Sequence, residues 1–124
     1  MSTKTILLID DEYRLREVTK MTLEMMAGWN VVTAASGREG LELARSQQPD
    51  AILLDEMMPD LDGTETLARL QADETTRSIP VLLLTAKAQT TESIALNRGA
   101  RGVISKPFDP LELATTISEA LGWG

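Results

Sequence analysis

The sequence predicts an α/β fold, a parallel five-stranded sheet wound with helices on both faces. Short apolar runs alternate five times with segments of helical period. Most of these runs are continuous Val, Ile, Leu and Ala rather than alternating, as strands covered on both faces require. The intervening segments also carry the start and stop signals of helices.

The elements follow in order. A strand over residues 5–9 leads to a helix over 13–27, with Leu15, Val18, Thr22 and Met25 on its inward stripe and a stop at Gly28. After a strand at 31–34, Ser36 and Glu39 form a capping box, and Pro49 bars continuation of the second helix. The third strand, 51–54, precedes a helix that follows Gly63, carries Leu67 and Leu70, and gives way to the polar stretch 73–78. A strand at 81–84 is followed by a helix near 91–97 that ends at Gly99, a left-handed cap. The last pair is a strand at 102–104 and a helix with Asp109 as cap, Pro110 at its first position and Glu112 at its third, closing at Gly122. There is no repeat or linker, and 124 residues suit one domain spanning 1–124.

Composition narrows the chemistry. Cysteine and histidine are both absent, which excludes disulfides, thiolate nucleophiles, Cys/His zinc sites and a Ser-His-Asp triad. Any metal must be a hard cation held by oxygens. The net charge of −7 repels phosphate backbones, and Tyr13, Trp29, Phe108 and Trp123 are the only aromatics, so no direct nucleic-acid partner is expected. No apolar run approaches the ~18 residues of a membrane span. The start, with Asp10-Asp11-Glu12 after a short apolar run, is no signal peptide. A cytoplasmic protein without a membrane partner is expected.

In a doubly wound sheet the ligand site lies at the carboxyl ends of the strands. There stand Asp10 and Asp11 after the first run, Asp55 after the third, Thr85 after the fourth, and Ser105 and Lys106 after the fifth. Three crowded carboxylates call for a cation, and with oxygen ligands only, Mg²⁺ is the natural one. Lys106 offers a positive charge to an anion beside the metal, and Thr85 a hydroxyl donor. Each residue alone has an ordinary alternative, Asp11 as a helix cap, Thr85 and Lys106 as caps or solvated groups. Their conjunction on separate strands matches what phosphoryl transfer to a carboxylate needs. The methionines Met21, Met25, Met26, Met57 and Met58 read as packing residues.

Four motifs in order, Ile9-Asp10-Asp11-Glu12, Leu54-Asp55 with Met58-Pro59 and Asp62-Gly63, Leu84-Thr85-Ala86, and Ser105-Lys106-Pro107-Phe108, resemble the receiver domains of two-component response regulators. The likeness spans residues 4–121 and is similar in extent to the single-domain, CheY-like members. It implies a flavodoxin-like three-layer sandwich with strand order 2-1-3-4-5. It also implies that Asp55 accepts a phosphoryl group from a partner histidine kinase or phosphotransfer protein. Asp11, Asp55 and the Met57 backbone carbonyl then match direct Mg²⁺ ligands, and Asp10 acts on the ion through water. Lys106 matches the phosphoryl-binding lysine, Thr85 the hydroxyl that moves to the phosphate, and Lys106–Pro107 a bond commonly cis. Self-phosphorylation from phosphodonors and self-dephosphorylation are implied rather than turnover of a substrate. Residues two beyond the acceptor and two beyond the threonine, Met57 and Lys87, flank the approach of hydrolytic water and favour a long-lived phosphoryl group.

One position departs from the pattern. Val103 stands where the family has a switch Tyr or Phe, so switching is expected through shifts around residues 85–97. A flavodoxin is disfavoured because Asp10-Asp11-Glu12 would repel a flavin phosphate. A haloacid-dehalogenase-type phosphatase needs an acid where Met57 stands. The remaining alternatives are a phosphorylation-independent adaptor and the receiver part of a longer regulator.

Overall fold

The computed structural model describes residues 3–123. The chain runs β1 (Thr5–Ile9), α1 (Tyr13–Ala27), β2 (Asn30–Ala34), α2 (Gly37–Gln47), β3 (Ala51–Asp55), α3 (Gly63–Ala72), β4 (Val81–Thr85), α4 (Ala88–Asn97), β5 (Gly102–Ser105) and α5 (Pro110–Leu121). All strand pairs are parallel, in the order β2-β1-β3-β4-β5.

Because side chains alternate across a strand, the continuous apolar runs feed two cores. Ile6, Leu8, Leu53, Leu82 and Leu84 pack with Leu23 of α1 and Leu113 and Ile117 of α5. On the other face Leu7, Ile9, Ile52, Leu54 and Leu83 meet Leu41 of α2, Leu67 and Leu70 of α3 and Ala95 of α4. The helix ends follow their signals. Ser36 accepts from the Glu39 amide at 3.2 Å while Glu39 reaches back to the Ala35 amide at 2.7 Å. Asp109 accepts from the Leu111 amide, and Gly28 and Gly122 both take left-handed φ of 70°. Gly99 has φ 101°, the expected positive value.

Three expectations need correction. The inward face of α1 is not the Leu15, Val18, Thr22, Met25 stripe: Thr19 and Leu23 are buried, while Val18 is 48 % and Met25 76 % exposed. Apolar residues surround this helix, so the sequence leaves the phase of the stripe ambiguous, and the sheet selects the Thr19/Leu23 side. The methionines are not mainly packing residues. Of these five only Met58 is buried, and Met21, Met25, Met26 and Met57 are exposed. Finally, α4 begins at Ala88 rather than near Thr91; its cap position, Lys87, makes no side-chain cap bond, so no capping signal marked the start.

Candidate functional site

Residues at the carboxyl edge of the sheet form the site. The ladder runs one residue beyond the apolar stretches, since Asp55 pairs with Leu84 and Thr85 with Ser105. Asp55 and Thr85 are thus strand residues with fixed main chains. Gly63 brings α3 against them: its amide donates to the Glu56 carbonyl at 2.8 Å. A Cβ at Gly63 would lie 2.7 Å from both the Asp55 carbonyl oxygen and the Glu56 Cα. Both obstacles are backbone, so only glycine permits this approach.

Asp10, Asp11 and Asp55 each place a carboxylate oxygen within 4.8 Å of the others. Asp10 and Asp55 are 1 % and 4 % exposed, and Asp11 is exposed. Asp10 is anchored through Oδ1, which accepts from the Glu12 amide at 2.9 Å, and its carbonyl accepts from Arg16 at 2.8 Å. That amide bond fills the turn into α1, so Asp11 is not its cap; Glu12 occupies the cap position without a side-chain bond. Lys106 Nζ donates to Asp55 Oδ1 at 3.0 Å and to Asp10 Oδ2 at 3.3 Å. The Lys106 amide donates to the Thr85 carbonyl at 2.8 Å, tying β5 to β4, and Lys106–Pro107 is cis.

These contacts set the electrostatics. Burial pushes the Asp55 carboxyl up to about 6, opposed by the Lys106 hydrogen bond and reinforced by the Asp10 charge. Burial alone would lower Lys106, but its bond to Asp55 and the charges of both acids outweigh it and raise it. One ammonium faces three carboxylates, which leaves the cluster net negative. The donor set is all oxygen, acidic and open to solvent at Asp11. That fits Mg²⁺ and suits neither a soft metal nor a bare apolar ligand.

The structure brings together Asp10, Asp11, Asp55 and Lys106. Thr85 is not joined to them by a hydrogen bond. Its Oγ1 donates to Glu56 Oε1 at 2.5 Å and accepts from the Lys87 amide at 3.0 Å. Glu56 is a fourth acid at this edge that the sequence alone does not single out, because its partner depends on the register of β3 against β4. The Met57 amide approaches Asp55 Oδ1 at 3.5 Å while its side chain is 76 % exposed. The Lys87 side chain is exposed and makes no ion pair among the described residues. Val103 is partly buried against the core shared with α2, α3 and α4.

Comparison with known proteins agrees with this geometry. The phosphate regulon transcriptional regulatory protein PhoB of Pseudomonas aeruginosa is 40% identical over 122 residues, which is 98% of this chain and 53% of that protein. The DNA-binding dual master transcriptional regulator RpaA of a Synechocystis species is 41% identical over 117 residues, covering 94% of this chain and 48% of that protein. The chain therefore spans about half the length of these relatives. Both are named as transcriptional regulators, so they lend no support to the expectation that nucleic acid is not a partner. Among solved structures, Vibrio cholerae chemotaxis protein CheY4 superposes with a TM-score of 0.88 at 31% identity, covering 96% of this chain and 99% of that one. The receiver domain of sensor histidine kinase PA1611 from Pseudomonas aeruginosa, solved with a magnesium ion coordinated in its active-site cleft, gives 0.85 at 30% identity, covering 98% and 99%. No helix among the described residues is long and apolar enough to cross a membrane. Residues 6–118 match the response regulator receiver domain, and the chain belongs to that family.

Proposed function

We propose that Asp55 is the phosphoacceptor of this receiver and that a phosphohistidine on a histidine kinase or phosphotransfer protein is the donor. The observation that carries this is the Asp55 carboxylate itself, buried at a strand end and held by Lys106 with two further acids beside it. One carboxylate oxygen attacks phosphorus as the phosphorus–nitrogen bond breaks, and the departing imidazole nitrogen keeps the electron pair and takes a proton from water. Asp11, Asp55 and the Met57 carbonyl would hold Mg²⁺, with Asp10 acting through water. The ion supplies charge neutralisation for the phosphoryl oxygens. Lys106, now shared by Asp10 and Asp55, pairs with a phosphoryl oxygen, and the Thr85 hydroxyl donates to another. The chain acts as one cytoplasmic domain that labels itself from small phosphodonors and loses the group by hydrolysis.

Beryllofluoride, a phosphoryl mimic, tests this against a phosphorylation-independent adaptor. Saturable, Mg²⁺-dependent binding that is lost in Asp55→Asn is expected. An absence of saturable binding to the unaltered protein would favour the adaptor.

A further inference from the structure

The buried hydroxyl of the site, Thr85, has a single proton, and it is given to Glu56. Thr85 is 1 % exposed, and a buried hydroxyl must find an acceptor. It donates to the carboxylate of Glu56, a charge-assisted bond. Glu56 is half-buried, directly follows Asp55, and has no cation: Lys106 is taken by Asp10 and Asp55, and Thr85 is its only side-chain donor among the described residues. The same Thr85 oxygen accepts the amide of Lys87, the residue at the cap position of α4. Because α4 has no side-chain cap, this bond is the hydroxyl's direct hold on the helix entrance.

We infer that Glu56 is a latch: it withholds the Thr85 hydroxyl from the phosphoryl group on Asp55, and its release couples phosphorylation to the start of α4. The inference rests on the roles proposed for Asp55 and Thr85 and adds a positioning residue to that site. Asp55 pairs with Leu84, so Thr85 lies one residue further along the neighbouring strand, and adjacent strands are ~4.8 Å apart. A phosphoryl group built on Asp55 extends toward that hydroxyl. It also brings negative charge beside the Glu56 carboxylate, and the two anions repel. The hydroxyl has a single proton and cannot serve both. When it turns to the phosphoryl oxygens, Glu56 loses its donor and the Lys87 amide loses or redirects its acceptor. The chain thus has a route from acceptor to α4 that needs no aromatic at Val103.

A double-mutant cycle read by beryllofluoride affinity tests the latch, with bound fluoride followed by ¹⁹F NMR in Mg²⁺. Glu56→Gln keeps the shape of the side chain and weakens its hold on the proton. It should tighten apparent affinity about tenfold, the usual scale of one charge-assisted hydrogen bond spent in holding the unbound arrangement. In a Thr85→Val background the same substitution should change affinity by less than about twofold, because the latched group is gone. Glu56→Ala, which removes the contact entirely, should act in the same direction and guards against an idiosyncratic effect of the amide. Unchanged affinity in both Glu56 variants would overturn the latch. So would a gain that persists undiminished with Thr85→Val, since that would be the charge of Glu56 acting on the anion directly. No saturable binding to the unaltered protein would overturn the acceptor assignment and the latch with it. Saturable binding that Glu56 does not influence would overturn the latch alone.

Discussion

At the scale of single residues the site is an arrangement of unequal carboxylates. Asp55 is buried and pushed up to about 6 from an ordinary 3.8, whereas Asp11 stands in solvent. Between about pH 4 and pH 6 folded Asp55 keeps a proton that the unfolded chain has released, so its contribution to stability falls as pH rises through that window. Above it the full cost is present. Asp55→Asn should therefore stabilise the Mg²⁺-free protein at pH 8 by roughly 2 kcal/mol relative to its effect at pH 4. Urea unfolding at the two pH values would show this, and an equal effect at both would refute it. The phosphoryl group proposed for Asp55 should be long-lived. Met57 presents an apolar side chain and cannot orient water by hydrogen bonding, and Lys87 cannot accept the water's proton as an ammonium. Phosphoprotein decay should therefore be faster in the Met57→Asn, Lys87→Glu double variant than in the unaltered protein. Equal first-order decay constants would place the control of lifetime elsewhere. Asp10, Asp11, Asp55 and Lys106 could be found in the sequence because each stands at the end of an apolar run, and the topology sends all strand ends to one edge. The Thr85–Glu56 bond could not, because it depends on which rotamer a buried hydroxyl adopts and on the β3–β4 register.

At the scale of elements, the five strand–helix units were legible because helix caps and continuous apolar runs are local signals. Which face of a helix turns inward is not local. Val18, Met21, Met25 and Met26 are exposed on α1, and the sheet alone decides that Leu23 goes in. Leu23→Ala should cost about 2–5 kcal/mol and Val18→Ala less than about 0.5 kcal/mol. Comparable destabilisation by the two, measured by chemical unfolding, would mean that the helix is rotated from the position described. The α4 helix is lightly held: Thr91 and Ala95 are its buried residues, Ile94 and Leu96 are exposed, and no side chain caps its start. Its amides should exchange with solvent faster than those of α5, whose Asp109 cap, Leu113 and Ile117 anchor both its start and its inner face. Slower exchange in α4 than in α5 would remove it as the moving part.

At the scale of the whole molecule, a formal charge of −7 is concentrated in part at one edge of the sheet, where among the described residues Lys106 is the one cation paired with the cluster of three aspartates, through Asp10 and Asp55. A bound divalent cation relieves that crowding in the folded state only. With Mg²⁺ at ten times its dissociation constant, linkage predicts about 1.4 kcal/mol of added stability, and Asp11→Ala should reduce this gain. Superimposable melting curves with and without millimolar Mg²⁺ would count against the metal site. The fold thus supplies a two-core frame, a strand-end carboxylate beside a lysine, and a lightly held α4 whose first turn is joined to Thr85 through the Lys87 amide. All of this depends on Asp55 being the residue that takes the phosphoryl group. The most direct measurement is phosphotransfer from a small phosphodonor or a labelled histidine kinase in Mg²⁺, followed by mass mapping of the modified residue. A single label on Asp55, absent from a folded Asp55→Asn variant, is the predicted result; undiminished labelling of that variant, or a label on another residue, would contradict it.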